Sequence, residues 1–229
     1  MNKETKKTHT LILSDFHLGS RVSRSKEIYE LLKDFKFKKL ILLGDIFESL
    51  NFGRLKEEDW KLLSLISEFS KTRKVKWVRG NHDRDFSKFF QTFTGAKVYR
   101  FYKWRYKNKK YLAIHGHQFD NFLVNNVILS FLVNVIYNFI QLIDFSDKRI
   151  SRFIKRRSKG WLRLSEKVAK RALLYAKFMQ VDCIFCGHTH KALERKKRGV
   201  KYYNCGCWTD LPSAYIALDE DSIKIIKCF

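Results

Sequence analysis

Five short polar segments, each directly after an apolar run typical of a β-strand, constrain this chain more than any other feature of its sequence. They bring Asp, Asn and His together and contain six of the seven histidines. In open α/β sheets, ligands bind at the carboxyl ends of the strands, so five such ends can converge on one place. The segments are Asp15-Phe16-His17, Gly44-Asp45-Ile46-Phe47-Glu48, Gly80-Asn81-His82-Asp83, His115-Gly116-His117 and Gly187-His188-Thr189-His190.

The pattern of apolar residues alternates between strand and helix in the first third of the chain. This alternation predicts a parallel sheet with crossover helices. Short strand patterns return after residue 181, whereas 121–180 reads as helix throughout. We therefore predict one α/β domain over 1–229, with a helical cap insert at 121–180. The predicted strands are 10–14, 39–43, 74–79, 111–114, 183–186, 193–197, 201–205, 214–218 and 223–227, and the predicted helices between the first three strands are 25–35 and 57–70.

The residue types in the five segments suit divalent metal ions. Carboxylate, amide and imidazole groups favour manganese, iron, zinc or similar ions over ions that prefer thiolates. Alternate residues of an extended strand end face the same side, so Asp15 and His17 can share a site, as can His188 and His190. Two cations about 3.5–4 Å apart can clamp a phosphoryl oxygen and generate a hydroxide nucleophile. Each segment alone also fits a turn or an ordinary histidine, but the five together favour a metal centre.

The chain is strongly basic, with a formal net charge of +24 from 47 Lys and Arg against 23 Asp and Glu. This excess favours a polyanionic partner such as nucleic acid, an anionic membrane surface or a phosphorylated substrate. The alternative is that lysines spread along the chain only keep the surface soluble. The hydrophobic content of 45% is enough for a sizeable core and excludes a wholly disordered chain.

The five cysteines follow no secretory signal, since the first residues are polar and charged. We therefore expect a reducing, cytoplasmic compartment. The pairs Cys183 with Cys186 and Cys205 with Cys207 raise the alternative of a zinc site. Both pairs lie in strand-like runs, where residues three apart face opposite sides, so buried thiols are the favoured interpretation.

The ordered set of segments resembles the calcineurin-like metallophosphoesterases, and the resemblance extends from Asp15 to about Asp210. It implies a four-layer α/β/β/α sandwich that binds two divalent metal ions, with Mn²⁺ expected and Fe, Zn or Mg also suited. It further implies that His82 assists the leaving group and that Asp83 orients His82, with Asn81 stabilising the developing charge. The implied ligands are Asp15, His17, Asp45 and His190 for one metal, and Asp45, Asn81, His115 and His188 for the other.

Further details are similar to the UDP-2,3-diacylglucosamine hydrolase group of lipid A synthesis. They include Leu18-Gly19-Ser20 after the first segment, Glu48 in the second, Gln118-Phe119-Asp120 after the fourth, and the run 203–208. The resemblance implies cleavage of the pyrophosphate of a UDP-linked lipid into UMP and a lipid monophosphate. At position 82 the characterised hydrolases tend to carry Arg, whereas this chain and many less characterised relatives carry His.

The predicted cap contains two unlike stretches. Residues 122–143 are nearly free of charge, with a polar stripe on one side of a helical wheel, so they fit a helix packed in the cap, a helix at a membrane interface or a spanning helix. The stretch after residue 149 is basic and amphipathic, which suits an anionic membrane surface or a solvated face. Its cations can also bind a substrate diphosphate. The candidates for that role are Arg156, Arg157, Lys159 and Arg163.

These features predict a metal-dependent phosphoesterase that acts on a nucleotide-linked lipid at the cytoplasmic face of the inner membrane. One alternative is a phosphodiesterase or phosphomonoesterase of the same superfamily that acts on nucleic acid, nucleotides or another phospholipid, which the net charge permits. A second alternative is a scaffold that has kept the fold without the chemistry. The complete set of candidate ligands argues against the scaffold.

Overall fold

Two β-sheets with helices on their outer sides form the core of the protein. The computed structural model describes residues 6–49, 51–83, 87–120, 159–220 and 222–228. The helices in these ranges are α1 (Ser25–Asp34), α2 (Glu57–Thr72), α3 (Ser87–Thr94) and α4 (Lys159–Phe178). The strands are β1 (Lys6–Leu13), β2 (Phe35–Leu43), β3 (Lys74–Val78), β4 (Lys97–Tyr99), β5 (Tyr102–Tyr106), β6 (Lys109–Ala113), β7 (Cys183–Cys186), β8 (Leu193–Lys197), β9 (Val200–Asn204), β10 (Ser213–Leu218) and β11 (Ile223–Cys228).

The first sheet has the strand order β11-β10-β1-β2-β3-β4, and β1 to β4 are parallel. The second sheet has the order β5-β6-β7-β9-β8, in which β6, β7 and β9 are parallel. Edge strands β11, β5 and β8 pair antiparallel with their neighbours. The predicted parallel sheet with crossover helices is therefore confirmed for the N-terminal half.

Alternating side chains of the central strands explain the layers. Leu11 and Leu13 of β1 pack with α1 and α2 in one core cluster, whereas Ile12 packs in a second cluster between the two sheets. A third cluster joins the outer face of the second sheet, including Ile184, to α4. The order helix, sheet, sheet, helix is the predicted four-layer α/β/β/α sandwich, which is confirmed.

Helix α4 falls inside the predicted cap insert, whose residues 121–158 lie outside the described part of the chain. Val168, Ala169, Ala172 and Ala176 are buried against the second sheet. This helix therefore forms the fourth layer of the sandwich, and the face that carries these four residues is packed on the sheet. No helix in the described ranges is long and apolar enough to cross a membrane.

Candidate metal centre

The ligand-bearing loops follow parallel strands of both sheets. Backbone hydrogen bonds join them: the Asp15 N–H donates to the Gly44 carbonyl at 3.0 Å, and the Gly187 N–H donates to the His115 carbonyl at 2.9 Å. A further bond from the Trp208 N–H to the Asp15 carbonyl, at 3.0 Å, joins a loop of the second sheet to one of the first. The carboxyl ends of β1, β2, β6 and β7 therefore meet at a single edge of the sandwich, as the sequence predicts.

Asp15, His17 and His190 form one cluster, with ligand atoms all within 4.8 Å of one another. His190 Nε2 lies 3.3 Å from both Asp15 Oδ1 and His17 Nε2. Two ligands that bind one cation at about 2.0–2.2 Å stand roughly 3.0–3.6 Å apart, so these separations fit a shared ion. Asp15 is fully buried and His17 nearly so.

Asp45, His115 and His188 form a second cluster of the same kind. His115 Nε2 lies 3.3 Å from Asp45 Oδ2, and the same carboxylate oxygen lies 4.0 Å from His17 Nε2 of the first cluster. Asp45 thus stands between the two clusters. The amide oxygen of Asn81 is buried and accepts no hydrogen bond within the described residues, which fits an oxygen that serves as a ligand.

Hydrogen bonds fix which nitrogen two of the histidines present to the centre. His115 Nδ1 lies 2.8 Å from the Leu43 carbonyl, which can only accept, so Nδ1 carries the proton. Its Nε2 is buried without a hydrogen-bond partner in the described chain. His17 Nδ1 donates to Glu48 Oε2 at 2.7 Å. Such partners for the outer nitrogen hold a metal-binding imidazole in place and raise its basicity.

The buried charges make the centre attractive to cations. Burial disfavours a charged His115, but the Asp45 carboxylate outweighs this effect and raises the pKa of His115 to about 10. Burial likewise opposes the charged form of His17, yet its bond to Glu48 raises the pKa of His17 to about 9. For Asp45, the neighbouring His115 overcomes burial and holds the pKa well below its usual range. The same ionised carboxylates that raise these two pKa values favour divalent cations, which would bind the imidazoles in their neutral form.

The sequence matches the calcineurin-like phosphoesterase family over residues 8–192. The chain belongs to this family. Calcineurin-like phosphoesterases are metal-dependent, and the two Asp and His clusters are the candidate metal-binding groups of this member. No curated protein matches the sequence.

Solved structures with similar folds have low sequence identity to this calcineurin-like phosphoesterase. A novel archaeal phosphodiesterase has 14% identity and a TM-score of 0.52, covering 95% of this chain and 98% of its own. The phosphoesterase Yfce from E. coli has 17% identity and a TM-score of 0.52, with 95% and 91% covered. Vps29 from Entamoeba histolytica, solved with Zn²⁺, has 16% identity, a TM-score of 0.46 and coverages of 95% and 97%. The first two support the fold assignment.

The backbone at the ligands corrects one sequence argument. The sequence argument places Asp15 with His17, and His188 with His190, because alternate residues of an extended strand end face the same side. Their φ angles are 54°, 49°, 66° and 54°, in the left-handed region, so the chain has already left the extended conformation. Left-handed backbone is unfavourable for such residues and is found where the surrounding structure enforces it, often at functional sites. Here His188 and His190 belong to different clusters.

Glycines let the loops approach the ligands closely. A Cβ atom on Gly80 would lie 2.8 Å from the carboxyl carbon of Asp45, and one on Gly187 would lie 2.8 Å from Ser14 Cβ. Real Cβ atoms do not approach other atoms this closely, so neither position has room for a side chain. The glycines of the third and fifth segments therefore serve the packing of the centre.

His82 and Asp83 have different partners from those that the family resemblance implies. His82 Nδ1 donates to the Glu48 carbonyl at 2.8 Å. Asp83 is buried and accepts from the backbone N–H groups of Gly80, at 3.0 Å, and Ile46, at 3.1 Å. Within the described residues no hydrogen bond joins the Asp83 carboxylate to the His82 side chain, so an orienting role of Asp83 would act through the loop backbone. Asp83 joins the loops after β2 and β3, and burial together with the Asp45 carboxylate raises its pKa.

Three residues that support the ligands had no predicted role. Glu48 accepts from His17, Asp120 Oδ2 lies 3.1 Å from His188 Nε2, and Asn204 donates to the Gly187 carbonyl at 2.6 Å. Glu48 and Asp120 each end one of the segments quoted for the resemblance, which was the available signal. Asn204, at the end of β9, lies in the run 203–208 that was quoted for the same resemblance.

The predicted phosphate-binding cations lie only partly within the described chain. Arg156 and Arg157 lie outside the described residues, and Lys159 is the first residue of α4. Arg163 is exposed on that helix. The side chains of Cys183, Cys186, Cys205 and Cys207 are buried thiols that form no disulfide with one another.

Glu48→Ala should weaken metal binding without removing a ligand. The change frees His17 Nδ1 from its 2.7 Å bond, so the ring loses its fixed orientation and part of its basicity. We expect the affinity for Mn²⁺, measured by isothermal titration calorimetry, to fall about 10–100-fold. Glu57→Ala is the matched control, because Glu57 pairs with Lys61 on the surface. Equal Mn²⁺ affinity in both variants would contradict the role of Glu48.

Proposed function

We propose that this phosphoesterase binds two divalent cations, with Mn²⁺ the expected metal, and hydrolyses the diphosphate of a nucleotide-linked lipid. The position of Asp45 carries the proposal of a dinuclear centre. Its Oδ2 atom lies 3.3 Å from His115 Nε2 in one cluster and 4.0 Å from His17 Nε2 in the other. A carboxylate placed between the two clusters would serve both cation sites as a bridging ligand.

Bound divalent cations would polarise the phosphoryl oxygens and lower the pKa of a coordinated water. The chain supplies the remaining parts. The His82 backbone N–H donates to Asp45 Oδ1 at 2.9 Å, which leaves Oδ2 for the bridge. The His82 side chain is held by the Glu48 carbonyl through Nδ1, so Nε2 is the ring atom that can serve a leaving-group oxygen. Asn81 adds a polar amide beside the developing charge.

The nucleotide-linked lipid rests on the sequence details shared with UDP-2,3-diacylglucosamine hydrolases, including Glu48 and Asp120. The net charge of +24 supports a substrate or surface of opposite charge. A peripheral position at the cytoplasmic face of the inner membrane agrees with this charge. On α4 the residues available to an anionic surface are exposed cations such as Arg163, Lys167 and Lys170.

A product assay tests the substrate. The Mn²⁺-loaded protein is incubated separately with UDP-2,3-diacylglucosamine, with single-stranded DNA and with bis-p-nitrophenyl phosphate. UMP detected by mass spectrometry, together with an intact DNA strand, is the expected result. Cleavage of DNA without release of UMP would show that nucleic acid, and not the nucleotide-linked lipid, is the substrate. No hydrolysis of any of the three compounds would refute the enzymatic function.

A further inference from the structure

A pocket with a volume of about 220 Å³ opens beside the metal ligand His190. Its wall comes from the start of α4, the loop after the fifth segment, the loop before β10, and β11. The side chains with distinct chemistry are Trp161, Leu162, Lys191, Asp210, Leu211 and Lys227. The proposed reaction gives none of these residues a role.

The pocket is continuous with the centre through His190. The Trp161 indole lies with its ring centroid 6.3 Å from that of His190, at an interplanar angle of 83°. Asp210 Oδ2 lies 4.0 Å from His190 Nδ1, on the side away from Asp15. A group in the pocket would therefore adjoin a phosphorus atom held at the first cluster.

The lining combines three kinds of contact. Trp161, with Leu162 and Leu211 nearby, offers an aromatic face and apolar edges to a planar ring. Asp210 supplies a carboxylate that can accept hydrogen bonds from sugar hydroxyls or a base N–H. Lys191 and Lys227 are positioned to offset phosphate charge.

Resting on the proposed function, we propose that this pocket binds the nucleoside of the substrate, with the base on Trp161. An acyl chain offers no charge to Lys191 and Lys227, whereas a nucleoside phosphate uses the aromatic face and both cations. Pockets for drug-sized ligands have volumes of about 300–1,000 Å³. This pocket is smaller, so it suits one part of a larger substrate.

Calorimetric titration of the full-length, Mn²⁺-loaded protein with UMP and with ribose 5-phosphate isolates the contribution of the base. We expect UMP to bind about tenfold more tightly, as base stacking on an aromatic side chain implies. Trp161→Ala should abolish this preference and Trp161→Phe should retain most of it. Trp60→Ala is the matched control, because Trp60 is 43% exposed on α2 and does not line the pocket.

Three results would overturn the proposal. The first is equal affinity of the unmodified protein for UMP and ribose 5-phosphate. This result does not depend on the folding of any variant. A base preference that survives in Trp161→Ala is the second. Tighter binding of octyl phosphate than of UMP, lost in Trp161→Ala, is the third and would assign the pocket to an acyl chain. Hydrolysis of bis-p-nitrophenyl phosphate, measured in parallel, tests the metal chemistry separately.

Discussion

Asp45→Ala is expected to lower kcat/KM for bis-p-nitrophenyl phosphate by about a thousandfold or more. Asp45 is the residue that stands between the two clusters, with Oδ2 3.3 Å from His115 and 4.0 Å from His17. Its removal therefore weakens both candidate cation sites together. Metal ions supply several kcal/mol of charge stabilisation to such reactions, and each ~1.4 kcal/mol corresponds to a factor of ten.

The same variant should also bind less metal. Elemental analysis after dialysis is expected to show a lower Mn²⁺ content than in the unmodified protein. Asp34→Ala is the matched control, since Asp34 is an exposed carboxylate at the end of α1. Hydrolysis by Asp45→Ala at a rate near that of Asp34→Ala would refute the dinuclear centre, and so would an unchanged metal content.

Sequence reasoning located the ligands because each follows a short apolar run that ends abruptly at a polar segment. Buried strands such as β2, with five consecutive buried residues at its end, carry that signal in their composition. The strand β5 also carries a signal, since Tyr102, Trp104 and Tyr106 alternate with cations as is typical of a strand with one buried face. Helix α3 and the three-residue strand β4 were not predicted, and β4 is too short for a periodic pattern.

The contacts between segments could not be read from the sequence. The bond from His17 to Glu48 joins residues 31 apart, and the bond from Asn204 to Gly187 joins residues 17 apart. Local patterns do not report which polar side chain a folded loop will meet. Asp83 shows the consequence: the resemblance implies that it orients His82, and only the fold shows that its carboxylate accepts hydrogen bonds from the backbone of two neighbouring loops.

Gly80→Ala is expected to lower the metal content and to reduce the rate of hydrolysis at least about a hundredfold, although it replaces no candidate ligand. The added Cβ would lie 2.8 Å from the Asp45 carboxyl carbon, and the Asp45 N–H and carboxylate are packed against the same glycine. Either the Asp45 carboxylate or the loop after β3 must shift. Because that loop carries Asn81 and His82, a shift of the loop displaces a candidate ligand together with the proposed proton donor. Overpacking of this kind also costs about 1–3 kcal/mol of folding stability.

Thermal unfolding separates loss of the metal site from simple destabilisation. A cation that binds only the folded state raises the Tm, so the unmodified protein should unfold at a higher temperature in Mn²⁺ than in EDTA. Gly80→Ala should lose that difference as well as some stability in EDTA. Gly53→Ala is the control, because Gly53 is exposed and its nearest contact is the flexible Asn51 side chain at 3.2 Å. A full Mn²⁺-dependent rise in the Tm of Gly80→Ala would show that the loop after β3 is not required to hold Asp45 in place.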